Sequence, residues 1–391
     1  MQEVFIVNAI RTPIGGFLGS LSGLSATALG SAALAACLAP VAIANDAVDD
    51  VIMGCVLPAG LGQGPARQAA LNAGLPSSTA CSTVNKLCGS GMQALILATD
   101  QIRAGSRRVM LAGGMESMSN APYLVARARS GLRMGHAELH DHLYLDGLQD
   151  AASGRLMGEF AEHTARRAGI DRAQMDAYAI ESLQRARQAM GDGLLRSEIV
   201  PLQLAERDGM RWIEDDEQPL SARIERIATL KPAFAPDGSI TAANASSISD
   251  GASALLLMSG EALQEHGLQP QARIVGHATH SQDPSEFCQA PVGAIARLLR
   301  QTGWHRDEVD LFEINEAFAL VTMLAMRALE LDPARVNIYG GACAQGHPIG
   351  STGARLLVTL NNALRQSGGR RGIAALCIGG GEATAVAIER V

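Results

Sequence analysis

Aromatic side chains are scarce in this chain of 391 residues: Phe, Tyr and Trp together make up only 3% of it. A core of stacked rings is excluded, so the interior must be built from Ala, Leu, Val and Ile, with close backbone approaches at some of the 42 glycines. Charge is also thin, at 18% against a usual figure of roughly 25%. With 47% apolar residues, that excludes a disordered or fibrous chain. There is no basic excess: 32 Lys and Arg face 39 Asp and Glu, a net charge of −7. Nucleic acid, which needs a basic face, is not an expected partner. Seven cysteines lie at 37, 55, 81, 88, 288, 343 and 377, an odd number spread widely and without a CxxC pair. Neither a disulfide framework nor a zinc site fits, whereas free thiols in a reducing compartment do. The N-terminus reads as a strand from Val4 to Val7 and lacks the basic start of a signal peptide. The longest weakly polar stretch, Ala26 to Ala44, is poor in large apolar residues and interrupted by Pro40, so no membrane span is expected. The expectation is a soluble cytoplasmic protein.

The length suits two or three domains, or one large duplicated fold. A weak internal repeat favours duplication. Val48-Asp49-Asp50-Val51-Ile52-Met53 is echoed about 260 residues later by Glu308-Val309-Asp310-Leu311-Phe312-Glu313. Cys88-Gly89-Ser90-Gly91 opens a helical pattern from Met92 to Arg103, and His347 to Gly353 opens another from Ala354 to Arg365. Each pattern stops near a glycine, Gly105 or Gly368, as helix C-termini do. Each leads to a buried-looking strand, Arg108–Ala112 or Gly372–Ile378, which meets a Gly pair, Gly113-Gly114 or Gly379-Gly380. Alternating helices and short apolar strands predict an α/β fold of βαβ units around mostly parallel sheets. The two halves are expected to face each other across a pseudo-twofold axis. The texture changes between them: a loop rich in Met, His and Arg (Ser119 to Asp146), an amphipathic helix (about Arg172 to Met190) and a polar stretch (Ala205 to Ala222). This reads as an insertion that covers a site or builds an oligomer contact, the plainer alternative being decoration. The expected division is residues 1–118 with 245–268 as the N-terminal core half, 119–244 as the inserted loop domain, and 269–391 as the C-terminal core half.

Four side chains stand out. Cys88 precedes a predicted helix, whose free amides and positive dipole end stabilise a thiolate and lower a thiol pKa. The plainer reading is a small buried hydrophobe. His347 lies on a stiff turn between Gly346, Pro348 and Gly350, in the place matching Cys88 in the repeat, and is a candidate base. A lone His is otherwise more often structural. Cys377 ends an apolar strand before Ile378-Gly379-Gly380-Gly381, where ligands bind α/β sheets and glycine amides can act as oxyanion donors. Asn315 follows another strand and can donate directly or hold a water, although Asn in turns is common. Cys343 and His347 are four residues apart, but no second cluster supports a metal site. The glycine stretches match neither the phosphate-binding loop nor the dinucleotide fingerprint.

Five separated segments, in order, resemble the thiolases, most closely the acetyl-CoA acetyltransferases. They are Val84-Asn85-Lys86-Leu87-Cys88-Gly89-Ser90-Gly91, Gly113-Gly114-Met115-Glu116-Ser117-Met118, Asn315-Glu316-Ala317-Phe318, Gly346-His347-Pro348-Ile349-Gly350 and Cys377-Ile378-Gly379-Gly380-Gly381. The likeness runs from Arg11-Thr12-Pro13-Ile14-Gly15 to the C-terminus. It implies a duplicated five-layered α/β/α/β/α core with a loop domain inserted in the first half. By the same resemblance, Cys88 is the acyl-accepting nucleophile, His347 its base, and Cys377 the acid/base at the α-carbon of a second acetyl-CoA. Asn315 holds a water that forms one oxyanion hole with His347, and the amides of Cys88 and Gly379 form another. Ser246 contacts pantetheine, and Leu148, Met157, Phe234 and Phe318 shape the CoA and acyl pocket.

The implied reaction is condensation of two acetyl-CoA to acetoacetyl-CoA and CoA, or the reverse thiolysis of a 3-ketoacyl-CoA. Its substrates are coenzyme A thioesters, it needs no metal or redox cofactor, and a homodimer or homotetramer is expected. This sequence departs from the family at Cys343 and Gln345 before the His, at Leu156 in place of a frequent His, at Leu220 in place of a frequent Arg near the CoA nucleotide, and at Phe287 in place of a common Met. Losing an Arg–phosphate contact predicts weaker CoA binding. Three competing readings are a longer-chain thiolase, a decarboxylating ketosynthase and an inactive homologue. A ketosynthase would want a second His where Asn315 stands and no Cys at 377. An inactive homologue fits poorly with four intact chemical side chains.

Overall fold

The computed structural model describes residues 2–206 and 209–391. Nine strands make the main sheet: β1 (Val4–Arg11), β2 (Asp50–Gly54), β3 (Ala80–Val84), β4 (Val109–Ser117), β5 (Ser249–Ser259), β6 (Ala272–Ser281), β7 (Leu311–Ile314), β8 (Arg371–Ile378) and β9 (Glu382–Arg390). Their order is β7-β8-β9-β6-β1-β5-β4-β2-β3, with the short segment Gly15–Gly16 pairing on β5. The halves meet where β1 and β6 pair through Phe5–Arg273 and Ile6–Ala272. On either side of that seam the order repeats, β1-β5-β4-β2 mirroring β6-β9-β8-β7. The outermost β3 has for a counterpart only a single bridge from Val336 to Phe312.

The sheet is mixed, not mostly parallel as its sequence pattern suggests. Only β2–β3, β2–β4 and β7–β8 run parallel. The chain reverses between β8 and β9 at Gly380 and Gly381, both with φ near +85°, so that pair is antiparallel. Between β4 and β5 it returns through the long insertion, again antiparallel.

Helices complete five layers. α1 (Ala26–Leu38) and α2 (Pro65–Asn72) cover one outer face, while α6 (Ala290–Thr302) and α7 (Ala319–Leu329) cover the other. Between the two halves of the sheet lie α3 (Ser90–Arg103) and α8 (Thr352–Ser367). Every residue of α8 from Thr352 to Leu364 is buried, as is every residue of β4 and β5. Coverage on both faces is why these strands read as continuous apolar runs. The two central helices touch near their N-termini at glycines: a Cβ on Gly91 would lie 2.8 Å from Ala354 N, and one on Gly353 would lie 2.4 Å from Met92 N.

That reciprocal contact fixes the pseudo-symmetry, with Gly91 matching Gly353. Ser90 then matches Thr352 and Cys88 matches Gly350, so His347 is not the counterpart of Cys88 as the motif order suggested. It lies three residues earlier on its own turn. The Gly pairs do not correspond either. Gly113 and Gly114 sit inside β4, paired with Ala254 and Ser253, whereas Gly379 and Gly380 form the turn after β8.

Between β4 and β5 the chain forms a hairpin (Tyr123–Val125 with Leu139–Asp141), a π-turn (Leu143–Leu148), α4 (Met157–Ala168), α5 (Arg172–Gly191) and a second hairpin. Residues 207 and 208, within the polar stretch from Ala205 to Ala222, lie outside the described residues. Asp171 caps α5 by accepting from Gln174 N, and Gln174 returns a bond to Asp171 N, which fixes the helix start. Buried Arg11 at the end of β1 ties down this segment, meeting Glu198 at 2.6 Å and Asp216 at 2.7 Å. No helix among the described residues is long and apolar enough to cross a membrane.

Candidate active site

Cys88 sits on a tight turn that leads into α3. Leu87, just before it, has φ +48°, a left-handed conformation uncommon for a side chain of this size and worth reading as a functional constraint. Local bonds hold the turn: Leu87 N donates to Asn85 Oδ1 (2.9 Å), Lys86 N to Ser90 Oγ (2.8 Å), and Ser90 Oγ to Leu87 O (2.7 Å). Burial pushes the Cys88 thiol above its ordinary pKa, although the amides of Gly379 and of Cys88 itself are directed at the sulfur and pull the other way. The expected lowering by the helix N-terminus is therefore outweighed, and the resting sulfur is a thiol that needs a base.

His347 can supply that base. Its ring is buried, with Nδ1 2.6 Å from Thr352 Oγ1. The Thr352 hydroxyl donates its one proton to Pro348 O at 2.9 Å, so it must accept from Nδ1–H. Nε2 is then the unprotonated nitrogen, and it has no partner among the described residues. Burial, and after it repulsion from Arg355, holds the imidazole pKa down at about 3, so the ring is neutral.

Cys377 is the penultimate residue of β8 and faces Ala383 of β9. Burial first, then its neighbours Cys88 and Cys288, push its thiol well above the ordinary value. Asn315 directly follows β7. Its backbone N donates to Ala375 O at 2.9 Å, while neither amide atom of its wholly buried side chain has a partner among the described residues.

Cys88, His347, Cys377 and Gly379 line one cavity of about 500 Å³, within the range of small-molecule sites. A Cβ on Gly379 would meet Leu87 Cδ1 at 3.3 Å and Met157 Sδ at 3.5 Å. The predicted pocket residues Leu148, Met157, Phe234, Ser246 and Phe318 line the same cavity. Phe318 stacks edge-on with both Phe234 and Phe287, with centroids 6.2 Å apart in each case. The Ser246 hydroxyl donates to Ala317 O at 3.0 Å. Asn315 is not among the lining residues, although Ala317 and Phe318, next along the chain, are.

Of the departures, Leu156 and Phe287 line the cavity. Leu220 is exposed in a separate surface cleft beside Arg187 and Arg196. Gln345 is buried with its Nε2 on Tyr339 O. Cys343 is half-buried, its backbone N bound to Glu316 Oε2 at 3.0 Å.

Sequence reasoning assigned no role to Thr352, whose hydroxyl sets the His347 tautomer. It also missed Glu116, which accepts from the amides of Val56 (2.9 Å) and Leu57 (3.2 Å) behind the His347 turn, and Glu217, which ties Gly16 and Ser20 to the insertion. The only signals were a hydroxyl five residues after the His and an acid inside an apolar strand, and both read as ordinary structure.

The chain belongs to the thiolase family. The family model described as "Thiolase, N-terminal domain" matches residues 4–261, and "Thiolase, C-terminal domain" matches 268–390. It is 46% identical to a protein of Schizosaccharomyces pombe named "Acetyl-CoA acetyltransferase", across 100% of this chain and 99% of that one. It is 47% identical to one of the same name from Pseudomonas aeruginosa, with full coverage of both. Among solved structures, the fold matches the Acat5 thiolase from Ascaris suum in complex with coenzyme A (TM-score 0.94, 41% identity, 100% of both chains). It also matches the Bacillus anthracis acetyl-CoA acetyltransferase (TM-score 0.97, 39% identity, 100% of this chain and 99% of that one).

Proposed function

We propose that this protein is an acetyl-CoA acetyltransferase that condenses two acetyl-CoA to acetoacetyl-CoA and CoA, and runs the reverse thiolysis, through an acetyl group carried on Cys88. The observation that carries this reading is the convergence of two thiols and an imidazole, with an unprotonated Nε2, on one cavity that also presents two amides to the sulfur. The relatives named acetyl-CoA acetyltransferase support the substrate, and the coenzyme A complex of the Ascaris suum thiolase supports the carrier.

In this reading His347 Nε2 takes and keeps the Cys88 proton as the sulfur attacks the thioester carbonyl, while Cys377 gives its own proton to the departing CoA sulfur. The Cys88 and Gly379 amides receive the oxyanion of that step. Cys377, left as a thiolate by that step, removes the α-proton of the second acetyl-CoA; the enolate carbon attacks the acetyl group on Cys88, the Cys88 sulfur leaves and takes its proton back from His347, and thiolysis runs the same transfers in reverse. Asn315 and His347 stabilise the enolate oxygen, with a water held by Asn315. Ser246, Leu148, Met157, Phe234 and Phe318 contact the pantetheine arm and acyl group. The scheme calls for no metal or redox cofactor.

The test is intact mass after mixing with acetyl-CoA. The protein gains one acetyl group, and Cys88→Ala abolishes the gain; acetylation that survives the substitution overturns the assignment. A thiolysis panel over 3-ketoacyl-CoA lengths in the same preparation decides between short and longer chains. A cytoplasmic homodimer or homotetramer belongs to the same reading, and light scattering that finds a monomer counts against the assembly.

A further inference from the structure

β7 is the outermost strand on its side of the sheet, so part of its backbone has no full strand to bond. Val336 runs beside Phe312 for a single bridge, and Asn337 N donates to Phe312 O at 2.9 Å. The chain then turns away at Asn337, whose φ of +49° is a left-handed conformation that Asn adopts more readily than most residues. The buried Asn337 side chain carries the ladder one step further. Its Oδ1 accepts from Ile314 N and its Nδ2 donates to Ile314 O, both at 2.8 Å. The second Nδ2 proton goes to Glu316 Oε1, also at 2.8 Å. One side-chain amide thus grips the residue before Asn315 and the residue after it.

Glu316 is pinned as tightly. Its carboxylate also accepts from the hydroxyls of Tyr178 and Ser182 on α5, both at 2.8 Å, and from Cys343 N at 3.0 Å on the segment that leads to His347. A Cβ on Gly341 would lie 2.3 Å from Glu316 Cδ, so glycine lets that segment close on the carboxylate. Asn315 itself donates its backbone N to Ala375 O on β8, two residues before Cys377. Its main chain is therefore held on three sides, while its buried amide side chain has no partner among the described residues. A buried amide left that way costs free energy, and a looser backbone would shift to relieve it. The clamp prevents that relief.

We infer that Asn337, with Glu316, is a positioning residue for Asn315: by fixing both of its neighbours it holds an unpartnered amide ready for the water and the enolate oxygen. This rests on the acetyltransferase reading and on the role proposed for Asn315. That role belongs to one step only. When Cys88 takes an acetyl group from acetyl-CoA, the thioester C–S bond breaks, CoA leaves as a thiol with the Cys377 proton, and no enolate forms. When Cys88 takes the same group from acetoacetyl-CoA, the sulfur bonds to the ketone carbon and the carbon–carbon bond beside it breaks. The electron pair of that bond becomes the enolate of acetyl-CoA, which takes the Cys377 proton. His347 holds the Cys88 proton in both cases. The two routes give the same acetyl-Cys88 and differ in the leaving group, so a clamp on Asn315 bears on the second alone.

The experiment compares single-turnover acetylation of Cys88 by acetyl-CoA and by acetoacetyl-CoA, both read by intact mass. Asn337→Gly tolerates the left-handed backbone and deletes all three side-chain bonds. In it, acetylation by acetoacetyl-CoA slows at least about tenfold, while acetylation by acetyl-CoA stays within about threefold of wild type. Tyr178→Phe removes one Glu316 donor but leaves the Asn337 grip, and shows no such split. Should Asn337→Gly fail to fold, Asn337→Asp keeps the acceptor for Ile314 N, loses both donated N–H bonds and gives the same split. Both donors slowed alike, neither slowed, or an equal split in Tyr178→Phe overturns the proposal. Wild type that takes no acetyl group from either donor refutes the acetyltransferase reading itself.

Discussion

Replacing Thr352 by Val tests the base assignment most directly. Valine matches threonine in shape and exchanges the hydroxyl for a methyl group. Pro348 O loses one donor but keeps the amides of Ser351 at 2.9 Å and Thr352 at 3.0 Å, so the turn and the start of α8 survive. What is lost is the acceptor 2.6 Å from His347 Nδ1. A buried N–H without a partner costs about 1–3 kcal/mol. The ring can escape that cost by moving its proton to Nε2, which removes the lone pair facing the cavity. By either route the base is impaired by that amount, and Cys88 acetylation slows roughly 5- to 150-fold at about 1.4 kcal/mol per decade. Thr352→Ser retains the acceptor and stays within about threefold of wild type. The assay is single-turnover acetylation by acetyl-CoA, quenched on the millisecond scale and read by intact mass, with CoA affinity measured in parallel. A folded Val variant that acetylates at the wild-type rate would refute both the tautomer and the role given to Nε2.

Two further outcomes follow from buried titratable groups. His347 is neutral in the fold down to about pH 3, whereas in the unfolded chain it takes a proton near 6.5. Acid therefore favours unfolding throughout that window, and the stability His347 lends above pH 6.5 is lost as pH falls. Between pH 7 and 5 the wild type should lose about 2 kcal/mol in urea titrations that His347→Asn does not lose; parallel pH profiles would contradict this. Arg11→Met strands the Glu198 and Asp216 carboxylates, which now meet the guanidinium at 2.6 and 2.7 Å. The expected loss is about 3–5 kcal/mol, and a loss under about 1 kcal/mol in the same denaturation assay would mean that the triad does not anchor the insertion.

The parts legible in the sequence were those written locally. α5 announces itself by its period, and the Cys88, His347 and Cys377 segments by their glycine-rich turns. Strand direction was not legible, because it depends on where the chain goes after a strand ends. A glycine turn reverses it after β8, and a long excursion does so after β4. The counterpart of Cys88 was misplaced because the order of motifs does not encode the contact of Gly91 with Gly353, which is what defines the symmetry. Thr352 was hidden because a hydroxyl near a helix start is ordinary in a sequence, and only burial distinguishes it.

Burial also reverses the expectation that the site would hold a ready thiolate. Both thiols are pushed up and the imidazole is pushed down, so the resting cavity carries a thiol, a neutral base and a second thiol. A standing thiolate–imidazolium pair would have to be desolvated there at a cost of several kcal/mol per ion. An uncharged site avoids that cost and admits an uncharged pantetheine arm without first displacing a hydrated ion pair. In the proposed mechanism charge then develops only as the sulfur attacks, where the amides of Cys88 and Gly379 are already aimed. Fixed donors that meet charge only as it forms stabilise the transition state more than the ground state, which is the condition for raising a rate.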